Sequence, residues 1–365
     1  MNLFGRKAAA RPARPELTRF AGAAGWAQGE QSYEAQVREG YCRNPIAQRA
    51  VRLVAEAVSG APLVAAPAPF AALVRARSGA QALVETATAQ LLLSGNAYIQ
   101  LLTDSEGALA ELFALRPERV SIEPDAQGWP AAYLYRCEGR VTRLSPAAPR
   151  PQIAHVKLFN PLDDHKGLGC LGAAAPAVAL HNAASAWNRA LLANGARPSG
   201  ALVYEPGDGS PLAPDQFDRL RAELDASFAG ASNAGRPLLL EGGLKWQALS
   251  LTPADMDFVG LKAAAAREIA TAFGVPPMLL GLPGDATYAN YREASRAFWR
   301  QTILPIADTL FAGLVQAARD WFPEAALRID LDRVPALAED RERLWAQVSA
   351  ADFLTPEEKR AAVGL

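Results

Sequence analysis

Two long helical segments that enclose a small strand–helix–strand unit constrain the fold of this chain more than any other feature. The first segment, 171–194, is Ala-rich, and the second, 253–273, opens with a helix-capping pattern. The enclosed unit is predicted to contain a strand at 202–205, an amphipathic helix at 215–228 and two strands, 238–241 and 245–249, that pair across Gly242-Gly243. Such a unit is typical of an insertion carried on a helical stalk.

Before the stalk, the hydrophobic period changes from helical to alternating. Apolar residues recur at helical spacing at 45–58 and at 80–93, and Ser94-Gly95-Asn96 ends the second of these helices. Short strands are then predicted at 97–102, 109–115, 120–123, 131–137, 140–144 and 153–159. The region 32–168 is therefore predicted to be an α+β domain in which helices precede a β-rich part.

A loop and a long helix follow the stalk. The segment Gly274-Val275-Pro276-Pro277 ends the second stalk helix, and the loop after it leads to a helix predicted over 290–322. Pro305 lies inside this helix and should kink it, because proline lacks the backbone N–H that the helix requires.

The two ends of the chain differ in character. Residues 1–31 are rich in Ala, Arg, Pro and Gly with little periodicity, and we predict a mobile arm. Near the other end, a short strand is predicted at 327–331. The tail is helical from residue 337, with a second capping pattern at Thr355-Pro356-Glu357-Glu358.

Composition limits the classes of function. The formal net charge is −1 over 365 residues, so no overall basic field attracts nucleic acid. This argues against a tight DNA binder but suits a conduit, since many Lys and Arg contacts to phosphates would resist sliding of the DNA.

No apolar run reaches the length of a membrane span, and no apolar run of a secretion signal follows residues 1–7. We therefore expect synthesis in the cytoplasm and no membrane association. Three cysteines without a CxxC pair are predicted to be reduced: Cys42, Cys137 and Cys170.

One motif suggests an enzyme. Residues 167–172 read Gly-Leu-Gly-Cys-Leu-Gly and open a helix, which matches the GxGxxG pattern of dinucleotide-binding oxidoreductases. That interpretation requires a strand running directly into the first glycine and an acid about 20 residues later. The predicted strand ends at Phe159, and no Asp or Glu occurs between Gly172 and Glu205. We therefore favour a glycine-rich turn that lets the helix start close to neighbouring backbone, and we expect no cofactor.

A second candidate is the cluster Asp163-Asp164-His165, which could form a metal or acid–base site. Short runs of this kind in loops are usually solvated turns, and we favour that interpretation. The chain contains no GxxxxGK[ST], GxSxG or HExxH motif. We expect no catalytic residue and no bound metal.

The long helix carries a basic stripe. Arg292, Arg296 and Arg300 recur every four residues and so share one face. Two interpretations stay open: a solvated face or intersubunit ion-pair row, and a stripe near the path of a nucleic acid. The aromatic residues of this helix are predicted to lie in the core or in a subunit interface: Phe298, Trp299 and Phe311.

Several segments together resemble the portal proteins of siphovirus-type tailed phages, in the short form also found in gene transfer agents. The most specific is E-I-A-T-A-F-G-V-P-P-M-L-L-G at 268–281, followed by T-Y-A-N-Y-R-E-A at 287–294 and the long helix. Weaker matches are Asn44-Pro45-Ile46, L-L-S-G-N-A-Y at 92–98 and L-T-P-E-E at 354–358. The resemblance covers about residues 38–365.

Portal subunits form a ring, usually of twelve copies, at one capsid vertex, and DNA is packaged and ejected through it. The resemblance implies a portal fold with an N-terminal arm (1–31), an α/β wing (32–168), a first stem helix (169–196), a small α/β clip (197–251), a second stem helix (252–277), a tunnel loop (278–289), a long kinked tunnel helix (290–323), a strand returning to the wing (324–334) and a helical crown (335–365). The crown is short, because only 33 residues follow Asp332.

The resemblance also implies site residues and partners for a structural, non-enzymatic protein. The arginine stripe would lie on the channel or between subunits. The expected partners are further copies of this chain, double-stranded DNA in transit, the large terminase subunit and then a head–tail adaptor at the clip, and the major capsid protein. The protein is expected at a capsid vertex of the virion, after assembly in the host cytoplasm. The tunnel loop is expected to face DNA with Leu282, Pro283, Gly284, Asp285, Ala286, Thr287 and Tyr288.

Overall fold

The computed structural model describes residues 32–147, 149–193, 200–205, 213–228, 244–248, 258–284 and 287–364. The predicted arm, the predicted strand at 238–241 and the predicted helix start at 253 lie outside these residues. The helices are α1 (Tyr33–Val37), α2 (Pro45–Ser59), α3 (Ala68–Arg75), α4 (Leu83–Ser94), α5 (Cys170–Ala193), α6 (Pro214–Phe228), α7 (Phe258–Ala272), α8 (Tyr288–Phe298), α9 (Leu304–Ala318), α10 (Ala338–Ser349) and α11 (Pro356–Val363).

The strands confirm the β-rich part of the predicted wing to within a few residues. They are β1 (Leu63–Ala66), β2 (Arg77–Ser78), β3 (Gln81–Ala82), β4 (Asn96–Thr103), β5 (Leu109–Leu115), β6 (Val120–Pro124), β7 (Pro130–Cys137), β8 (Arg140–Leu144), β9 (Ile153–Lys157), β10 (Gly200–Tyr204), β11 (Leu244–Ala248) and β12 (Ala326–Ile329). Among the described residues every strand pairing is antiparallel, in three-stranded sheets of order β5–β4–β9 and β6–β7–β8 and in the pairs β1–β12, β10–β11 and β2–β3.

The helix starts follow from local capping chemistry. The side-chain oxygen of Asn44 accepts hydrogen bonds from the backbone N–H groups of Ile46 (3.1 Å) and Ala47 (3.0 Å), and Pro45 occupies the first turn. At the other end of the chain, Thr355 and Glu358 form a reciprocal capping box. Both starts lie where the sequence predicts them, because a cap is a short-range pattern.

The segment before α4 differs from the prediction. A helix is predicted from residue 80, but α4 begins at Leu83, because Gly79 and Ala80 adopt positive φ angles (+57° and +67°) in a tight turn between β2 and β3. Strand β1 and helix α3 have no counterpart in the sequence prediction. The partner of β1 is β12, with Leu63 opposite Ile329, and short-range periodicity carries no information on such a distant pairing.

The predicted long helix is present, and its irregular turn lies just before Pro305. It starts at Tyr288 as α8, widens into a π-type turn at Trp299–Ile303 and continues as α9 to Ala318. A wide turn thus lies immediately before Pro305, the residue at which the kink is predicted. The physical cause is the expected one, because proline lacks an N–H and its ring crowds the carbonyl four residues earlier.

One hydrophobic core joins the predicted wing to the stem and the long helix. It contains, among others, Val54 of α2, Leu91 of α4, Leu171 of α5, Ile269 of α7 and Phe311 of α9, all at most 1 % exposed. Burial of one such side chain contributes about 1.5–3 kcal/mol. A smaller second core lies between the two three-stranded sheets and contains Tyr98, Leu115, Val120, Ile122, Tyr133, Leu144 and Ile153. Helix α9 therefore packs into the same core as the helices of the predicted wing.

Candidate nucleic-acid interface

The turn that ends α7 is fastened to the long helix. Gly274 has a φ of +64°, and a Cβ atom at this position would lie 2.7 Å from Oγ1 of Thr302. The Thr302 hydroxyl donates a hydrogen bond to the carbonyl oxygen of Gly274 at 2.6 Å. Only glycine therefore fits here, and the contact fixes where the chain leaves α7 for the loop that precedes α8.

The first half of that loop is also held by its own chain. A short 3-10 turn, Pro277–Leu280, ends at Gly281 with a φ of +74°. The backbone N–H of Leu282 donates to the Pro277 carbonyl at 3.2 Å, and the Arg267 guanidinium of α7 donates to the Pro283 carbonyl at 2.6 Å. The chain thus enters the loop in a defined direction.

The predicted tunnel-loop residues that the structure describes lie between α7 and α8, and most of them are exposed. Pro283, Gly284 and Thr287 are exposed, Leu282 is half-buried, and Tyr288 is 80 % exposed in the first turn of α8. The Thr287 hydroxyl oxygen caps α8 by accepting a hydrogen bond from the Asn290 N–H at 3.2 Å. Asp285 and Ala286 lie outside the residues that the structure describes. The DNA-facing role of all seven residues stays a prediction.

The predicted arginine stripe is paired with acids of α10. Arg296 lies 2.7 Å from Glu339, Arg300 lies 2.8 Å from Asp340, and Arg292 also pairs with Glu339. Arg296 is 16 % exposed, whereas Arg292 and Arg300 are 46 % and 56 % exposed. Both predicted roles of the stripe, on a channel and between subunits, stay predictions.

Sequence reasoning did not identify Glu339 and Asp340. The signal that could have indicated them is the pair of acids in the first turn of the predicted tail helix, where negative charge is favoured by the helix dipole. The helix dipole explains why acids occur there, but it does not indicate which arginines they pair with. Helices α8 and α10 are far apart in the sequence, with α9 and β12 between them.

The aromatic residues of the long helix lie mainly in the core. Phe298 is 4 % exposed and Phe311 is 1 % exposed, and the partly buried Trp299 packs against the same cluster. They do not form an exposed stacking platform for bases. Cys42, Cys137 and Cys170 are free thiols.

The GxGxxG segment is a close-packed turn. A Cβ atom on Gly167 would lie 2.1 Å from the Gly95 carbonyl oxygen, and one on Gly169 would lie 2.6 Å from the Leu93 carbonyl oxygen. The strand before the motif, β9, runs antiparallel to β4, so no parallel βαβ unit precedes it. The glycines serve close backbone packing, and the dinucleotide interpretation is not supported.

A buried polar junction holds this turn. The Asn96 side-chain oxygen accepts hydrogen bonds from the Gly167 N–H (2.7 Å) and from Nε2 of His155 (2.9 Å). The Asn96 amide group donates to the carbonyls of Ser94 (2.7 Å) and Gly167 (3.2 Å). His155 also stacks on Tyr98, with ring centroids 4.3 Å apart, and burial lowers the pKa of His155 to about 3. This junction joins the wing to the start of α5.

The Asp163-Asp164-His165 cluster is a structured turn. The Asp163 carboxylate accepts backbone hydrogen bonds from His165 (2.7 Å) and Lys166 (3.1 Å), and Nε2 of the buried His165 donates to the Gly128 carbonyl at 2.5 Å. Among the described residues, no group of three His, Cys, Asp or Glu side chains is arranged to hold a metal ion. No described helix combines the length and the apolar character that a membrane span needs.

Comparisons with known proteins agree with this architecture. The family model described as phage portal protein matches residues 45–364. An uncharacterised protein of Rickettsia felis (strain ATCC VR-1525 / URRWXCal2) is 40 % identical over 90 % of this chain and 88 % of its own. The probable portal protein of Streptomyces phage phiC31 is 28 % identical over 62 % of this chain and 52 % of its own.

A solved structure also resembles this chain over most of its length. A chain in the neck of a native gene transfer agent particle, with C12 symmetry, is 47 % identical, covers 92 % of this chain and 94 % of its own length, and superposes with a TM-score of 0.70. The α+β fold, with sheets and a long helix that meet in one core, is that of a phage portal protein. The chain belongs to the phage portal protein family.

Proposed function

We propose that this chain is one subunit of a closed ring at a capsid vertex, through which double-stranded DNA enters and leaves a virion or gene transfer particle. The observation that carries the proposal is the loop before α8, which is held by hydrogen bonds at both ends and is exposed at Pro283, Gly284 and Thr287. Gly274 and Thr302 fasten its entry, and Thr287 caps the helix at its exit. A segment held in this way suits a wall element that points into an open channel.

The proposed ring has twelve subunits. The argument is the similarity to the chain from a gene transfer agent neck with C12 symmetry, at 47 % identity over 92 % of this chain. In a cyclic ring each subunit uses two different faces, one toward each neighbour, so assembly closes without a free interface. Twelve copies would then surround a single channel.

Each part of the chain has a proposed place in that ring. Residues 32–168 form the wing, α5 and α7 the stem, and α8 with α9 the tunnel helix, while α10 and α11 form a short crown. The segment 197–251, which contains β10, α6 and β11, is the proposed clip. We assign it the docking of the large terminase subunit during packaging and of a head–tail adaptor afterwards. The wing is assigned contact with the major capsid protein.

Electron microscopy of the purified protein tests the ring. We expect end-on views with a central hole and twelve-fold symmetry. Native mass spectrometry should give a mass close to twelve times that of the 38.8 kDa subunit. Particles that remain monomeric at every protein and salt concentration tried would contradict the proposal.

A further inference from the structure

The arginine stripe, which runs from α8 into the π-type turn after it, contacts the acidic first turn of α10. Arg296 contacts both acids, with Nη2 2.7 Å from Oε2 of Glu339 and Nε 3.5 Å from Oδ2 of Asp340. Arg292 and Arg300 each contact one of these acids. The Glu339 and Asp340 side chains are 50 % and 18 % exposed.

Helix α10 is attached by polar contacts more than by apolar burial. None of its residues is buried, although Leu337 just before it is 4 % exposed. On its other side Arg341 lies 2.5 Å from Asp332, and Nε1 of Trp345 donates to the same carboxylate at 3.1 Å. Ion pairs on exposed surfaces contribute little stability, typically 0–1 kcal/mol each. The pair of Arg296 and Asp340 is less exposed, at 16 % and 18 %, and for such a pair the cost of desolvating both charges offsets much of their attraction. Stability alone is therefore a weak reason for placing the two acids over the arginine row.

Charge balance suggests a different reason. Arg296 also lies 3.3 Å from Glu293, so three carboxylates face three guanidinium groups and the local charge is close to zero. Without the acids, the same helix face would present arginines at intervals of about 6 Å. Guanidinium groups in such a row are good ligands for phosphates, which they can bind through two parallel hydrogen bonds.

We propose that Glu339 and Asp340 act as internal counterions, which occupy the arginine row in place of DNA phosphates. The row would otherwise hold duplex DNA through counterion release and slow its movement. The inference deepens the proposed function, on which it rests, because it concerns the helix that follows the tunnel loop. It predicts that DNA affinity rises when the acids lose their charge.

The test is the double variant Glu339→Gln/Asp340→Asn of the full chain, purified as the assembled protein. Binding of a short fluorescent DNA duplex is measured by anisotropy over a series of salt concentrations. We expect the affinity at low salt to rise by about ten-fold and the salt dependence to steepen, since each additional phosphate contact changes the log–log slope by about 0.9.

A matched control separates this effect from a change in net charge. Glu56→Gln/Glu123→Gln changes the net charge by the same two units and frees Arg52 on α2 and Arg143 on β8, whose side chains are 56 % and 57 % exposed. It should leave DNA affinity unchanged. Adding Arg292→Gln and Arg300→Gln to the double variant should return the affinity to that of the unmodified protein. An equal rise in the control, or no rise in the double variant, overturns the proposal.

Failure of the counterion proposal can be distinguished from failure of the proposed ring assembly. Electron microscopy of each variant shows whether rings are present, and the unmodified protein reports on the proposed function separately. If the double variant does not assemble, Glu339→Gln alone serves as the test, because Asp340 then keeps its pairs with Arg296 and Arg300. The single variant should show a smaller rise in affinity, and no rise in it also counts against the proposal.

Discussion

The side-chain oxygen of Asn96 accepts a hydrogen bond from the backbone N–H of Gly167 at 2.7 Å, which connects positions 71 residues apart. Asn96 is the first residue of β4, and Gly167 lies just before α5. The asparagine is only 5 % exposed, and its amide group also donates to the Gly167 carbonyl. One side chain therefore aligns the proposed wing with the proposed stem.

Removal of this side chain should weaken the subunit. In Asn96→Ala, the Gly167 N–H and Nε2 of His155 lose their acceptor in a buried site, where an unsatisfied polar group costs about 1–3 kcal/mol. We expect the unfolding free energy to fall by about 2–4 kcal/mol, measured by denaturant titration with circular dichroism. The exposed Gln127→Ala serves as the control and should change it little. A loss no larger than that of the control would show that the junction is not structural.

Alanine substitutions at Gly167 and Gly172 should have different effects on stability. Gly167→Ala places a methyl group against the Gly95 carbonyl oxygen, at 2.1 Å, and this backbone atom cannot move aside without shifting the wing. We expect a loss of at least about 3 kcal/mol in unfolding free energy, or a failure to accumulate as soluble protein.

Gly172→Ala is the matched control for the same motif. It lies inside α5, and its added Cβ would meet only the end of the Leu168 side chain, at 3.9 Å. Alanine is the better helix former by about 1 kcal/mol, so this variant should be neutral or stabilised. Equal damage from both substitutions, read from the same denaturant titrations, would indicate that the motif has a role other than close packing.

Stability should depend on pH through His155. Its pKa is lowered to about 3 in the folded protein, chiefly by burial, whereas the unfolded chain has a value near 6.5. Between these values the unfolded state binds the proton, so the contribution is present above pH 6.5 and is lost as the pH falls toward 3. The expected loss from this residue is about 1.4 kcal/mol per pH unit in that window.

The measurement compares the unmodified protein with His155→Gln. Denaturant titrations between pH 7.5 and 5 should show a steeper fall in unfolding free energy for the unmodified protein. The glutamine variant starts lower, because it loses the ring stacked on Tyr98, but it has no proton to take up at this position. Parallel pH profiles for the two proteins would contradict the assigned pKa.

Short-range patterns carried most of the fold prediction. The helical spacing of apolar residues at 45–58 and the alternation in β5 and β8 located their elements from neighbouring residues alone, and the predicted and observed bounds agree closely. The long helix was located for the same reason. Its start moved to Tyr288 because the Thr287 cap acts over three residues, which the prediction did not weigh.

Contacts between distant residues could not be predicted in this way. Strand β1 forms because Leu63 meets Ile329, and the arginine stripe is neutralised because Glu339 lies beside Arg292 and Arg296. The sequence around each of these residues gives no indication of its distant partner, since hydrophobic periodicity describes one helix or strand at a time. The loop before α8 was located from the sequence, between the end of one helix and the start of the next, but its role as a tunnel loop came only from the resemblance to portal proteins.

The proposed tunnel loop gives the last prediction. Deletion of residues 284–286 removes the exposed Gly284 and the two residues after it but retains both Thr287, which caps α8, and the contact between Arg267 and the Pro283 carbonyl. Because Gly284 has no atom within 4 Å of where its side chain would be, little packing is lost and rings should still form. DNA packaging or retention should fall sharply, because the segment proposed to point into the channel is gone. The measurement is nuclease-protected DNA per particle, with ring formation checked by electron microscopy. Pro283→Ala, which keeps the loop length and the carbonyl, is the control and should package normally; loss of the rings in the deletion variant would show that this loop belongs to the folded core instead of the channel.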